Sequence, residues 1–488
     1  MFIYIHLLEF MFYLGLVMSY RRSLNINEQL YFVNSVFKHR DAIQVLVKFV
    51  SSGHHSGVEA LKKGIVLVSN AHKIHSRRIS GSTLYLSKNS EIHIKVHNQD
   101  TEPALRDPLF NQPVKDSGTL IEHHIIVTKT NLFLLVKSHH VLMDGAAYVQ
   151  YLKDIFKAIR GIPLTGDERL YSEEDALPTI LTKSKGIQGP RISKVKGKWR
   201  SKRPPKILTH DKAIGNICAV LALSASKAMG RKGSFFIPFD LRKFGVCSSG
   251  FGNMTLPIYL NVKPTDSLGD ITAQLNFQIQ SKAPLNNSLS SFGIKTLPSW
   301  LLRPSAKVVH LVFRLTGYYF ASGFISDLGQ LSLQHFSGPN LDAIDLIPIP
   351  MVGAQSPYTA FCLSHENGLR IGLAVHAGNG LPKWEKEIQR FFESTDSHPV
   401  GVDFAKNTQL GNVVLSAWSR YLNMETQDCK AQSDVAFSNL GGDSVTLVLM
   451  CSEIQKELSV EGNQQVMSEI FARGTSITIR EMTKIYNQ

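Results

Sequence analysis

The sequence predicts an α/β body in two lobes with a small all-α unit at its C-terminal end. Three observations carry this. Strand-like and helix-like stretches alternate from Leu24 to about Pro163 and again from Ala213 to Ser394. A polar, basic stretch rich in proline and glycine separates the two. Beyond about residue 405 the chain keeps the spacing of amphipathic helices and loses its strand signal. A length of 488 residues suits about two to four folding units, and 43% hydrophobic content gives each a core.

The elements follow in order. Residues 1–21, MFIYIHLLEFMFYLGLVMSYR, are apolar for about twenty residues, the length of a membrane span. His6 and Glu9 interrupt them, and the arginines follow the apolar part, whereas a secretory signal carries its positive charge first. A membrane anchor and a helix lying on the protein are the other readings. The favoured one is a start set too early, because Met18 opens MSYRRSLNINEQLYF as an ordinary cytosolic chain. In the first lobe, about 22–175, Asn27–Phe37 has helical spacing, and Glu91–Val96 and His123–Thr128 alternate as strands. Leu132–Val136 (LFLLV) is a buried strand, and the helix after Asp144-Gly145 puts Tyr148, Leu152, Ile155, Phe156 and Ile159 on one face until Gly161 ends it. The second lobe, about 213–395, offers strands at Ser234–Pro238, Leu256–Val262 and Leu369–Val375. Its helices are Thr265–Asn276, opened by a Thr-Asp-Ser cap, and Pro382–Ser394. A linker, TDSHPVGV, leads to the unit at 405–488.

Charge narrows the function classes. The crossover at about 176–212 contains the run Lys183–Lys206 with ten Lys/Arg and no acid, which supplies +10 of the net +14. A solvated segment is the leading reading and a docking surface for an acidic protein the next. Nucleic acid is not expected, because Trp199 is the only stacking aromatic in the run. Residues 405–488 carry −2, so the body carries +16. Five scattered cysteines without a CxxC pair argue against a disulfide framework or a zinc cluster, and favour the cytoplasm.

Two motifs bear chemistry. The first is FSNLGGDSVTL at Phe437–Leu447: a glycine turn, then Asp443 and Ser444 at a helix start, with amphipathic stretches on both sides. A hydroxyl at a helix N-terminus suits a phosphodiester, since backbone N–H groups and the helix dipole favour the anion. This arrangement resembles a peptidyl or acyl carrier domain, a four-helix bundle with the core motif GG(D/H)S. The resemblance implies that Ser444 carries 4′-phosphopantetheine, attached by a phosphopantetheinyl transferase.

The second is HHxxxDG at His139–Gly145. It resembles the signature of nonribosomal-peptide condensation domains and related acyltransferases of the chloramphenicol acetyltransferase superfamily. FFIPFDLRKF with FGN (Phe235–Asn253) and ISDLG (Ile325–Gly329) extend the likeness, although Asp327 stands where Asn is more usual. The resemblance implies a two-lobed fold over 22–395, with the motif between the lobes. It implies that His140 accepts or orients the proton of an attacking amine or hydroxyl, while His139 packs away from the site. Adjacent strand residues face opposite ways, which agrees. Asp144 is implied to hold the loop by pairing with an arginine, with Arg242 and Arg78 as the choices, and Gly145 to leave room for a thioester. The Asp-Phe-Gly-Trp-Gly element of condensation domains is absent. FSGPNLDAIDLIPIP in its stead looks more like the alcohol acyltransferase branch.

The sequence therefore reads as a condensation-type acyltransferase of a thiotemplated pathway, forming an amide or an ester and fused to its carrier. Its partners are a phosphopantetheinyl transferase, a separate adenylation or loading enzyme and other carrier proteins, with no nucleic acid and no membrane. The alternatives are an acyl-CoA-dependent alcohol O-acyltransferase and a non-catalytic carrier or docking protein.

Overall fold

A computed structural model describes nearly all of residues 42–165, 205–286 and 318–395, and parts of 21–41, 166–204, 287–317 and 396–486. Residues 1–20, most of Lys183–Lys206, and Leu440–Ser444 lie outside the described residues.

The first lobe is a five-stranded sheet in the order Asp342–Ile349, Ala42–Val50, Leu132–His139, Ile121–Val127, Ile94–Asn98. Leu132–His139 is the central strand, paired with Ala42–Val50 and Ile121–Val127, and is buried along its whole length. Its one charge, Lys137, is satisfied by donating to the carbonyls of Leu109 (3.1 Å) and Gln112 (2.6 Å). Helices His54–His72 and Gly145–Ile159 cover one face. Three buried polar contacts pin them: His72 Nε2 with Asp154 Oδ2 (2.9 Å), Ser69 Oγ with Tyr151 Oη (3.0 Å), and His123 Nε2 with Tyr151 Oη (2.8 Å).

The second lobe is a mixed six-stranded sheet: Lys206–His210, Gly368–Val375, Tyr358–His365, Gly323–Gln330, Gly233–Asp240, Thr255–Val262. Helices Ile217–Met229, Leu268–Gln280 and Gly380–Thr395 pack on it. Ser267, the last residue of the Thr-Asp-Ser cap, caps Leu268–Gln280 in a capping box with Asp270. Trp384 is fully buried and its Nε1–H donates to the Leu221 carbonyl (3.1 Å), joining two of these helices.

The lobes do not divide where the sequence was divided. Asp342–Ile349, within FSGPNLDAIDLIPIP, leaves the second lobe and pairs antiparallel with Ala42–Val50. Leu331, Phe336, Leu341 and Leu346 go with it into the first lobe's core. A shorter link also crosses, since Phe251–Asn253 pairs with Leu170–Ser172.

In the C-terminal unit the described helices include Thr408–Leu422, Thr426–Ala431 and Ile479–Tyr486. Trp418 is buried at its centre, edge-on to Phe437 (4.8 Å between centroids), and its Nε1–H donates to Met482 Sδ (3.3 Å).

The strand exchange makes a testable demand. A Cβ on Gly372 would lie 2.5 Å from the Pro348 carbonyl oxygen of the exchanged strand. The obstacle is backbone and cannot rotate away. Gly372→Ala is expected to lower stability by roughly 1–3 kcal/mol through overpacking, read as a drop in the urea midpoint.

Candidate active site

The loop His140–Asp144 is held from three sides. Behind it, Tyr148 is inserted into the sheet: the Val45 N–H donates to Tyr148 Oη (3.0 Å), which donates to the Val136 carbonyl (2.7 Å). Val45 and Val136 are register partners, so one phenol bridges two paired strands and fixes the start of the helix Gly145–Ile159. Burial pushes the Tyr148 hydroxyl well above its ordinary pKa, which keeps it a donor.

Asp144 supplies the second and third sides. Its Oδ1 accepts from the Ala147 N–H (2.9 Å), which caps the helix. Its Oδ2 accepts from the Met254 N–H (2.7 Å) on the second lobe, and its own N–H donates to the Gly252 carbonyl (3.1 Å). Arg242 Nη1 donates to both carboxylate oxygens (3.2 and 3.0 Å) and to Asp240 Oδ1 (2.9 Å), while Nη2 reaches the Gly250 and Gly252 carbonyls. Of the two arginines the sequence offered, Arg242 lies on Asp144. Arg78 instead donates to the His75 and Arg77 carbonyls.

Two carboxylates share this one guanidinium. Burial, with the charge of Asp144 nearby, pushes the Asp240 carboxyl up, although Arg242 pulls it down. Arg242 itself is held protonated by Asp144 and Asp240 against its own burial.

The histidines part company at the strand end. His139 is the last strand residue, buried, and its Nδ1 accepts from the Val141 N–H (3.1 Å). His140 is the first residue of the turn, so the strand's alternation stops before it. It is the turn that aims His140 at the cavity. Its ring stacks on Tyr31, 3.8 Å between centroids and 15° from parallel. Burial lowers its pKa to about 4, while its own carbonyl, Asp144 and Asn253 draw it back up. A neutral imidazole therefore prevails at physiological pH.

His140 lines a cavity of about 340 Å³ between the lobes, with Tyr31, Gly145, Lys243, Phe324 and Asp327 among its walls. A Cβ on Gly145 would lie 2.8 Å from Leu328 Cδ2, so the glycine preserves both the cavity and the close approach of the lobes. Asp327 turns one oxygen to its own loop, accepting from the Gly329 N–H (2.9 Å). Lys153 and Lys243 also line the cavity; burial lowers the Lys153 pKa, and the charges of Lys157 and Lys243 lower it further. Lys243 Nζ donates to Thr446 Oγ1 of the C-terminal unit (3.5 Å), two residues after Ser444. Ser444 itself lies outside the described residues.

Sequence reasoning missed Tyr31, Asn253 and Lys243. Asn253 stood inside the quoted FGN, and its Nδ2 donates to the Val141 carbonyl (3.0 Å), but nothing local marks it as a neighbour of His140.

Asp144→Asn is expected to cost about 3 kcal/mol, the low end for breaking a buried pair, because Asp240 remains to hold the Arg242 charge. His139→Ala, which empties a buried position, should lower the thermal midpoint as well. The stability of the wild type should fall as pH drops from about 6.5 toward 4. His123 and His140 both have folded pKa values near 4, so over that window the unfolded chain binds more protons. Urea midpoints across that window read this directly.

Residues 412–471 match the family described as phosphopantetheine attachment site. Over 133 residues the chain is 26% identical to the hybrid PKS-NRPS synthetase pydA of Acremonium sp, a match that spans 27% of this chain and 3% of that synthetase. The structure resembles F. sporotrichioides TRI101, solved with coenzyme A and T-2, at 12% identity and a TM-score of 0.52, covering 77% of this chain and 98% of that one. Polyketide synthase associated protein 5 from Mycobacterium tuberculosis aligns with the same coverage and TM-score at 14% identity. Residues 412–471 are thus a phosphopantetheine attachment domain, carried by a body with the two-lobed chloramphenicol acetyltransferase-like fold.

Proposed function

We propose that the chain is a condensation-type acyltransferase that works on an acyl group presented by its own carrier domain. The observation that carries this is the contact of Lys243, a wall of the His140 cavity, with Thr446, two residues beyond Ser444. Phosphopantetheine on Ser444 would hold the acyl group as a thioester, whose acyl–sulfur bond is exchanged for an acyl–nitrogen or acyl–oxygen bond to the acceptor. The chain's residues fit such an arm: Lys153 and Lys243 line the cavity and bring positive charge that suits a phosphodiester.

His140 accepts the proton of the attacking amine or hydroxyl and returns it to the leaving side. Its low pKa keeps it free to do so, and Tyr31 holds its plane. Asp144 and Arg242 act through the loop and do not touch the reacting atoms. His139 supports the same loop from within the strand. On this reading the partners are a phosphopantetheinyl transferase, a separate loading enzyme and other carrier proteins. A second reading is an acyl-CoA-dependent alcohol O-acyltransferase; the fold shared with TRI101, solved with coenzyme A, favours it.

Intact-protein mass spectrometry separates the two. Incubation with a phosphopantetheinyl transferase and acyl-CoA should add one acylated arm to wild type and none to Ser444→Ala. Transfer from that arm to amines or alcohols supports the carrier route. Transfer by Ser444→Ala directly from acyl-CoA supports the second. His140→Ala should load normally and lose about 10²–10⁴-fold in turnover. In the wild type, turnover should stay level as pH falls from 7 toward 5 and drop only near 4, since the neutral imidazole persists until then. An acid limb near 6.5, or a fully active His140→Ala, would remove His140 from the proton transfer.

A further inference from the structure

We infer that Asp240 is an acceptor-binding residue of the His140 cavity, and that the acceptor it suits is a primary amine arriving as an ammonium ion. This rests on the acyl-transfer reading and narrows its acceptor.

Three carboxylates line the cavity: Asp144, Asp240 and Asp327. Asp144 uses both oxygens on main-chain N–H groups and Arg242. Asp327 accepts from the Gly329 N–H and lies beside the buried Cys362 thiol. Asp240, the last residue of the strand Gly233–Asp240, differs from both. Its Oδ1 accepts from the Arg242 main-chain N–H (3.0 Å) and from Arg242 Nη1 (2.9 Å). Its Oδ2 makes no hydrogen bond among the described residues, and the side chain is 19% exposed where it joins the cavity wall.

Charge points the same way. Asp144 and Asp240 share the one guanidinium of Arg242, which leaves the trio with one negative charge. Lys243 is the next cation whose charge reaches Asp240, and its Nζ donates to Thr446 of the carrier. A carboxylate with little access to water is stabilised by a cation that donates hydrogen bonds to it. Burial and Asp144 push the Asp240 carboxyl up, which makes it a better proton acceptor for such a cation.

The proton count separates the two acceptor classes. An alcohol and a thioester give an ester and a thiol. The hydroxyl proton ends on sulfur, and His140 alone can carry it. An amine, with an ordinary pKa of about 8–10, arrives protonated. It loses one proton to free its lone pair and a second as the C–N bond forms and the C–S bond breaks. One proton ends on sulfur and the other leaves for solvent. His140 carries one at a time, and Asp240 takes the first from the ammonium and passes it to water. Amide formation thus uses both groups, whereas ester formation uses only His140.

Two measurements on the full chain test this. In the first, calorimetry at pH 7 compares hexylamine with hexanol on unloaded Ser444→Ala, which isolates recognition from turnover. The amine should bind at least about tenfold more tightly, and adding Asp240→Asn, which keeps an oxygen for Arg242, should erase that preference. In the second, the acyl-loaded chain is given both acceptors together, and the ratio of amide to ester should fall at least about tenfold in Asp240→Asn. A purely structural Asp240 would lower both products alike, so an unchanged ratio overturns the proposal. Equal binding of amine and alcohol by the parent chain overturns it too. Asp240-dependent amine binding without transfer to either acceptor would uphold the amine site and overturn the acyl-transfer reading instead.

Discussion

The site depends on where one carboxylate is held. Asp144 ends the turn after the histidine strand, caps the following helix, accepts a main-chain N–H from the second lobe and binds Arg242. Each contact alone is worth on the order of 1–3 kcal/mol. Together they fix the loop relative to both lobes. Without them the short turn would have no reason to keep His140 at the cavity wall. The cost is a cluster of two acids and one base with little access to water, in which burial and the charge of Asp144 raise the Asp240 pKa while Arg242 lowers it.

Much of this was legible, and the exceptions have physical causes. LFLLV reads as a buried strand and is one; the helix after Asp144 shows its buried face at the expected spacing. Ile217–Met229 was not seen, because it is buried nearly all round and so lacks an amphipathic period. His54–His72 was missed too, since two glycines and three lysine or glutamate positions blur its face. The exchanged strand was quoted but set in the wrong lobe. DAIDLIPI has a strand's composition, yet nothing in it says which sheet it joins. At the site, HHxxxDG gave His139, His140, Asp144 and Gly145 together because local spacing carries them. Arg242 needed a choice between two arginines. Tyr31 and Lys243, far apart in sequence, needed the fold.

The environment of His140 trades proton affinity for availability. An exposed imidazole near its ordinary pKa of about 6.5 would be partly protonated at neutral pH and unable to accept a proton. Burial against Tyr31 removes that fraction. In the proposed reaction it would also weaken the base, which would then rely on an acceptor held close and on the electrostatics of the cavity. Chemistry of that kind tolerates a modest base. A thioester is already a reactive acyl donor, and the proton need move only as the new bond forms.

The carrier contact fits a domain that must both dock and leave. Twelve residues, 396–407, separate the helix Gly380–Thr395 of the body from the helix Thr408–Leu422, and a chain of that length reaches at most about 40 Å. Covalent connection over so few residues makes docking intramolecular and raises the effective concentration of the carrier at the body. Docking therefore needs less intrinsic affinity, and among the described residues Lys243 reaches Thr446 by a long hydrogen bond of 3.5 Å. The charges agree, with −2 on residues 405–488 facing a body of +16. Long-range attraction of this sort brings the carrier back quickly without holding it, and it is screened at physiological salt beyond about 8 Å. Ser444 must also be reached by the transferase and the loading enzyme that the proposed reaction requires, so turnover demands a carrier contact that can be released.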